Sequence, residues 1–479
     1  MITADRMAAV DENAAALGVP RKQLMESSGN AVARAVRRAA DPGAAVALVC
    51  GRGNNGGDAF VAARFLDGYD VTVHLLGRPE TIGTDIAREN WAALTAADFD
   101  TRVVRDSRAL ALDDPDVVVD ALLGTGVTGA LRQPERAAAE AINGTAATVV
   151  AVDVPSGVDA DSGEAAGVAV DADRVVTFHD AKPGLDALDA AVTVADIGIP
   201  AAAELFTGPG DRRLLSRPAD THKGDFGEVL VIGGGPYTGA PALAAQAAMR
   251  AGADLVRVAC PRAVADGVQG FEEGLILRPF DDDRLRIDHL DHVHELAAAH
   301  DAVVLGPGLG DNEATLAAVR EFLADFDGRA VIDADALGVV PDVDTDATLL
   351  CTPHGGELRG MGGPSADDWR DRLDAVADFA ADLGHALLVK GAYDVIADGD
   401  RTRVNRTGNP GMTVGGTGDV LAGAAGALLA TQDPVDAGAL TAYANGLAGD
   451  RVVDRQGYGL FASDLLPELP RALWGGTDE

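Results

Sequence analysis

Short runs of β-branched residues alternate with long alanine-rich segments along almost the whole chain, and this rhythm restricts the fold more than any other feature. Strands separated by helical crossovers run parallel in one sheet, because each crossover returns the chain to the edge it left. Val46–Cys50, Asp70–Leu76, Asp116–Asp120, Thr148–Val152, Arg174–Phe178 and Val192–Ile197 form a first series of expected strands. Between Ile199 and Gly227 the rhythm breaks, at Gly208-Pro209-Gly210, Arg212-Arg213 and Pro218. Glu228–Ile232, Leu255–Ala259, Ala302–Leu305, Ala330–Ile332, Thr348–Cys351 and Ala386–Val389 then form a second series. The pattern predicts two α/β domains, residues 1–210 and 211–479, the first opening with two helices that divide at Gly18-Val19-Pro20.

With 47% hydrophobic residues in 479, the chain can fill two cores. Its net charge of −36 opposes any general attraction to nucleic acid or an anionic membrane, so neither is an expected partner. No apolar run approaches the roughly 18 residues of a membrane span, and no signal segment opens the chain, so a cytoplasmic location is expected. Cys50, Cys260 and Cys351 have neither disulfide nor metal-ligand spacing and read as buried thiols. Four lysines against thirty-five arginines, with many carboxylates and 58 glycines, point to a salt-rich cytoplasm. There the Debye length falls to about 3 Å at about 1 M salt and carboxylate repulsion is screened. Dialysis into low salt is then expected to unfold the protein; full retention of its circular dichroism there would refute the halophilic reading.

Glycine-rich loops follow several expected strands. Gly51, Gly53 and Gly56 match G-x-G-x-x-G between a strand and a helix, where a backbone without side chains can approach phosphate and offer it N–H groups. The next strand ends in His74-Leu75-Leu76-Gly77-Arg78, without the acid that holds a dinucleotide ribose, so an ordinary dehydrogenase fingerprint is incomplete. Asn54, Asn55 and Asp58 instead put oxygen-bearing side chains into the loop; the bland alternative is a tight turn with Asp58 as helix cap. Asp120 and Asp153 stand at two further strand ends, before Gly124-Thr125-Gly126 and Pro155-Ser156-Gly157. All three loops emerge at the carboxyl edge of a parallel sheet, and Asn55, Asp120 and Ser156 supply oxygens suited to a monovalent or hard cation.

In the second half, Gly233-Gly234-Gly235 and Gly415-Gly416-Thr417-Gly418-Asp419 each open a helix. The latter combines helix N–H groups for an anion with a carboxylate that can accept a hydroxyl proton, which is what phosphoryl transfer to an alcohol requires; a flexible turn capped by Asp419 is the alternative. Gly306-Pro307-Gly308, Asp333-Ala334-Asp335, Thr352-Pro353-His354 and Lys390-Gly391 follow other strands. Spacing leaves His354 either structural or functional, and Glu357 free to orient it, cap a helix or bind a magnesium-linked water. Lys182, Lys223 and Lys390, three of the few lysines, each stand beside a glycine-bearing turn near an expected site.

Taken in order, Asn54-Asn55-Gly56-Gly57-Asp58, Asp120 with Gly124-Thr125-Gly126, Val152-Asp153-Val154-Pro155-Ser156-Gly157, Thr352-Pro353-His354 and Lys390-Gly391 resemble the bifunctional NAD(P)H-hydrate repair enzymes over nearly the whole chain. The resemblance implies an N-terminal Rossmann-like, doubly wound epimerase domain and a C-terminal ribokinase-like α/β domain, an ADP-dependent dehydratase. It implies that Asn54, Asn55, Gly56, Gly57, Asp58, Gly124, Thr125, Gly126, Val127, Thr128, Gly129 and Ala130 line the hydrate, with Asp153 in contact as the proton-handling group. Potassium would sit on Asn55, Asp120 and Ser156. In the second domain Ala240, Gly308, His354 and Asp419 would touch the hydrate, with Asp419 catalytic, and Lys390, Gly391, Ala392, Tyr393, Asp394 and Gly418 would hold ADP or AMP, with magnesium. The loop reads Lys390-Gly391-Ala392-Tyr393-Asp394, whereas the family pattern implies a small hydroxyl residue later in it. A homo-oligomer is expected. A small-molecule kinase with a regulatory first domain is the alternative, separated by its stable phosphorylated product; an RNA-binding scaffold is opposed by the acidity.

Overall fold

The computed structural model describes residues 1–126, 128–365 and 368–475. Two compact units divide at Ala203 and Glu204.

In the first unit the strands are β1 (Ala45–Cys50), β2 (Asp70–Leu76), β3 (Asp100–Val104), β4 (Val117–Ala121), β5 (Thr148–Val152), β6 (Arg174–Phe178) and β7 (Ala191–Ala195). They lie in the order β3-β2-β1-β4-β5-β6-β7, with every pairing parallel. Side chains alternate across the sheet: Val46, Leu48 and Cys50 enter one core with Val32, Phe60 and Trp91, while Ala47 and Val49 enter another with Ala138 and Ile142. Burial on both faces explains why the inner strands read as continuous apolar runs. The two N-terminal helices span Ala4–Ala16 and Arg21–Ala39. The second packs so closely on the helix Asn54–Arg64 that a Cβ on Gly29 would stand 2.4 Å from that of Val61.

In the second unit, β8 (Glu228–Ile232), β9 (Leu255–Ala259), β10 (Ile276–Leu277), β11 (Ala302–Leu305), β12 (Arg329–Ile332), β13 (Thr348–Cys351), β14 (Ala386–Val389), β15 (Asp394–Ala397) and β16 (Thr402–Asn405) form one sheet. Its order is β10-β9-β8-β11-β12-β13-β14-β15-β16. The pairings are parallel through β14, and β15 and β16 add an antiparallel edge. Val229 and Val231 face the core built with the helices Gly239–Arg250 and Thr417–Leu429, and Leu230 and Ile232 face the other.

Residues 204–210, expected in the first domain, belong to the second unit. Phe206 bridges Val404 of β16 in parallel, Thr207 N donates to Val404 O at 2.9 Å, and Arg403 pairs with buried Asp211 at 2.8 Å. Pairing of this segment covers the outer edge of β16. Lys223 lies away from the carboxyl edge near which it was expected: its turn precedes β8, at the amino edge of the sheet, where Gly224 N donates to Asp254 Oδ2. The three cysteines are free and buried, and burial pushes the Cys260 and Cys351 thiols up to about 11 and about 12. Among the described residues no helix is long and apolar enough to cross a membrane.

Candidate active sites

The first sheet reverses its winding between β1 and β4, and a crevice opens there at the carboxyl ends of the strands. A cavity of about 370 Å³ fills it, bounded by Asn54, Asn55 and Asp58, by Gly124, Thr125 and Gly126, and by Asp153 and Lys182. The loop expected at residues 54–58 is instead the start of a helix, capped by Gly53 without any side-chain hydrogen bond. Its first N–H groups therefore remain available to an anion, and Asp58 is no cap. Gly56 and Gly57 lie beneath this surface: Cβ atoms there would strike Gly51 O at 2.2 Å and Met25 at 2.8 Å, so they serve close packing. Thr128, Gly129 and Ala130 do not line the cavity; Gly129 faces a separate hollow beside Gly157 and Asp159. Val127 lies outside the described residues.

Asp153 has a left-handed backbone, φ 66°, strained for a residue with a side chain. Its Oδ1 accepts from Thr177 Oγ1 at 3.0 Å and pairs with Lys182 Nζ at 3.2 Å. Lys182 is fully buried, and its ammonium also donates to Phe178 O at 2.9 Å and Asp180 O at 3.2 Å. Burial, then the charges of Asp153 and Asp11, hold the Asp58 carboxyl well above the usual carboxylate range. Burial also raises Asp11, with Arg21 opposing it. The cavity thus combines an ion-paired carboxylate with acids that retain protons more readily than usual.

Deeper in the same loops, Ser156 Oγ and N donate to Asp120 Oδ1 and Oδ2 at 2.7 and 2.8 Å, and Leu123 N donates to Ser156 Oγ at 3.0 Å. Asn55 lies against Gly124, and its buried Nδ2 has no hydrogen-bond partner. Burial pushes Asp120 up to about 6 despite these donors. The unsatisfied Asn55 atom is a hydrogen-bond donor and therefore calls for an acceptor, while Asp120 and Ser156 already satisfy each other.

The second sheet reverses between β8 and β11. Gly308, φ 73°, approaches Ala240 so closely that a Cβ would stand 3.2 Å from the alanine methyl. A backbone bridge joins His354 to Lys390, with Lys390 N donating to Pro353 O at 2.8 Å. Lys390 Nζ pairs with Asp333 Oδ1 at 2.9 Å and lies 3.7 Å from Glu357 Oε2. Thr352 Oγ1 donates to the same Asp333 oxygen at 2.8 Å. A Cβ on Gly418 would come within 3.4 Å of Lys390 Nζ, which sets the ammonium at the start of the helix Thr417–Leu429. Burial opposes the Lys390 charge, but Asp333 and Glu357 overcome it and raise its pKa. Gly416 caps the helix in a left-handed conformation without a side-chain bond, so Asp419 is not a cap. Burial, then the like charge of Asp333, pushes Asp419 up to about 7, with Lys390 opposing.

Glu357 Oε2 accepts from His354 N at 2.7 Å, and His354 Nδ1 accepts from Gly356 N and Glu357 N, a reciprocal helix cap. Gly391 N donates to Asp394 Oδ1 at 2.9 Å, closing the loop that carries exposed Ala392 and half-buried Tyr393. Asp11 was not anticipated, and Lys182, Asp333 and Thr352 stood out in the sequence without an assigned role. Asp333 carries the same signal as Asp120 and Asp153, an acid at the carboxyl end of a strand; Asp11, within a helix, carries none.

Two parallel sheets with phosphate-type loops at their winding reversals, one beside a buried lysine–carboxylate pair and the other beside a helix start holding a cation and a raised acid, define a two-site nucleotide-handling enzyme. Residues 21–184 match the model of the YjeF-related protein N-terminus, and residues 229–471 that of NAD(P)H-hydrate dehydratase. The chain belongs to the family of bifunctional NAD(P)H-hydrate repair enzymes. A member from Methanothermobacter thermautotrophicus is 45% identical over 489 aligned positions, spanning 98% of this chain and 94% of the relative. One from Archaeoglobus fulgidus is 43% identical and spans 98% of each chain. The solved ADP/ATP-dependent NAD(P)H-hydrate dehydratase of Bacillus subtilis, co-crystallised with ATP and Mg²⁺, is 28% identical, with a TM-score of 0.49 over 56% of this chain and 97% of that one.

Proposed function

We propose that the two sites divide the repair of hydrated NADH and NADPH: the first interconverts the R and S epimers, and the second dehydrates the S epimer with ADP as phosphoryl donor. In the first cavity the pyrophosphate of the hydrate lies against the N–H groups of residues 54–56, and Asp153, oriented by Thr177 and Lys182, takes the C6 hydroxyl proton as the C6–N1 bond breaks to an open-chain aldehyde with N1 protonated, then returns it as N1 recloses on the other face of C6. Asn55, Asp120 and Ser156 would hold potassium through their oxygens, and its charge would offset the buried carboxylate.

In the second site Asp419 takes the proton of the C6 hydroxyl, whose oxygen attacks the β-phosphoryl group of ADP and displaces AMP. Lys390 and the helix N–H groups near Gly418 carry the charge that develops on the transferred group. The phosphate ester then leaves from C6, a far better leaving group than hydroxide, and loss of a C5 proton restores the dihydronicotinamide. Glu357 and Asp333 are hard oxygen donors on the phosphate side of Lys390 and suit magnesium, which keeps several waters and needs only one or two protein carboxylates. When bound, that ion neutralises phosphate charge.

The observation that carries the reading is the convergence of Lys390, Asp333 and raised Asp419 on one helix start. Purified S-hydrate and R-hydrate, each with ADP or ATP at high potassium, test it. Restored NAD(P)H absorbance with AMP and phosphate is expected. A stable phosphorylated product would instead indicate a small-molecule kinase, and no turnover of either epimer would defeat the reading.

A further inference from the structure

Tyr393, in the loop assigned to the nucleotide, is held by two residues that no motif singles out. Its ring stacks on Trp369, with centroids 5.0 Å apart and planes inclined by 16°. Phe206 meets both rings, at 5.7 Å from Trp369 and 6.5 Å from Tyr393. The three residues come from distant parts of the sequence: the segment after the first unit, the start of the helix Trp369–Leu383, and the turn before β15.

Each partner is itself anchored. Phe206 is fixed by its bridge to Val404 and by Arg403, which reaches Phe206 O at 3.4 Å and pairs with Asp211 at 2.8 Å. Arg372, one helical turn beyond Trp369, donates from Nη2 to Tyr393 O at 3.1 Å, and its buried Nε has no partner. On its other side the loop is closed by Asp394, which accepts from Gly391 N and Asn405 Nδ2, both at 2.9 Å. Tyr393 and Asp394 therefore fasten the loop to an aromatic wall and to β16.

We propose that Phe206 and Trp369 are positioning residues of the nucleotide site, stacking on Tyr393 so that the Lys390–Asp394 loop is already shaped for ADP. The segment that follows the first unit is then part of the second unit's nucleotide site. A loop held in its binding conformation pays less ordering cost when ligand arrives, so the effect falls on affinity and not on the chemical step. This inference rests on the assignment of the Lys390–Asp394 loop to the nucleotide.

The test is steady-state dehydration by the full-length enzyme carrying Phe206→Leu, which keeps apolar volume without a ring, Trp369→Ala or Trp369→Tyr. An aromatic contact of ordinary strength corresponds to about a two- to tenfold change in equilibrium. Phe206→Leu and Trp369→Ala should raise KM for ADP by about that factor, leave kcat at saturating ADP and KM for the hydrate unchanged, and leave epimerisation unchanged. Trp369→Tyr should restore most of the affinity. In addition, ADP alone should alter the tryptophan emission of the wild type, and Trp369→Phe should remove that response. Lys390→Ala separates the two levels: if it leaves KM for ADP unchanged, the nucleotide assignment itself fails. If Lys390→Ala weakens ADP but the Phe206 and Trp369 variants do not, or if they lower kcat without moving KM, the positioning role fails alone.

Discussion

Replacing Asp419 by asparagine preserves the shape of the helix start and removes the carboxylate proposed to accept the hydroxyl proton. Burial, then Asp333, pushes this carboxyl up to about 7, against the pull of Lys390. A base must be deprotonated, so dehydration falls as the pH drops through that value. The ionised fraction is about one tenth near pH 6 and about nine tenths near pH 8, so kcat/KM should rise almost tenfold between them. An ordinary carboxylate, ionised above about pH 4, would give a flat profile there. Asp419→Asn should lower kcat by about 10²–10⁴, a barrier increase of about 3–5 kcal/mol, with epimerisation unaffected. Linkage separates lost chemistry from lost fold. A carboxyl raised in the native state costs stability once the unfolded chain ionises, so stability declines from the ordinary carboxylate range up to about pH 7. Asp419→Asn should therefore raise the melting temperature near pH 8. Asp333→Asn removes the like charge and should move the rate limb to lower pH. Retention of most activity by Asp419→Asn would eliminate the base assignment; a flat wild-type profile beside an inactive variant would eliminate the account of its pKa.

Other consequences are separable by assay. Asp153→Asn and Lys182→Met should lower the epimerisation rate by about 10²–10⁴ while leaving dehydration of pure S-hydrate unchanged, and an unaltered epimerisation rate in either would remove that residue from the mechanism. Because burial pushes Asp120 up to about 6, a proton and potassium compete for the same carboxylate. The potassium concentration needed for half-maximal epimerisation should increase as pH falls through that value and increase further in Ser156→Ala; constancy in both experiments refutes the cation site. A Cβ on Gly423 would stand 1.9 Å from Ala244 O, so Gly423→Ala should cost about 1–3 kcal/mol, more than the gain in helix propensity offsets. An unchanged denaturation midpoint would contradict the backbone contact between these helices.

Strands buried on both faces declare themselves as apolar runs, and Asp70–Leu76, Thr148–Val152 and Glu228–Ile232 have the bounds their sequences predict. Three outlying strands do not: β3 buries only Val104, and β15 and β16 are short and hold Asp394, Arg403 and Asn405. Without those strands, the attachment of residues 204–210 to the second unit has no local signature. The same distinction runs through the sites. Glycine loops and acids at strand ends are local patterns, so Asp153, Lys390 and Asp419 were visible, and applying the strand-end rule to the second sheet would have exposed Asp333 as well. What a sequence conceals is why an acid is an acid of unusual strength. Asp419 owes its shift to burial and to Asp333, Asp58 to burial and to Asp153 and Asp11, and these neighbours meet only after the crossovers have closed. The rare lysines marked two such places, Lys182 and Lys390, because an ammonium enclosed by carbonyl and carboxylate oxygens is a different object from a guanidinium fork. Lys223, exposed at the opposite edge of its sheet, stands apart from both crevices, so rarity alone does not locate a site. Rarity becomes informative only where the topology brings the lysine to the carboxyl ends of the strands, the edge at which both sheets place their charge.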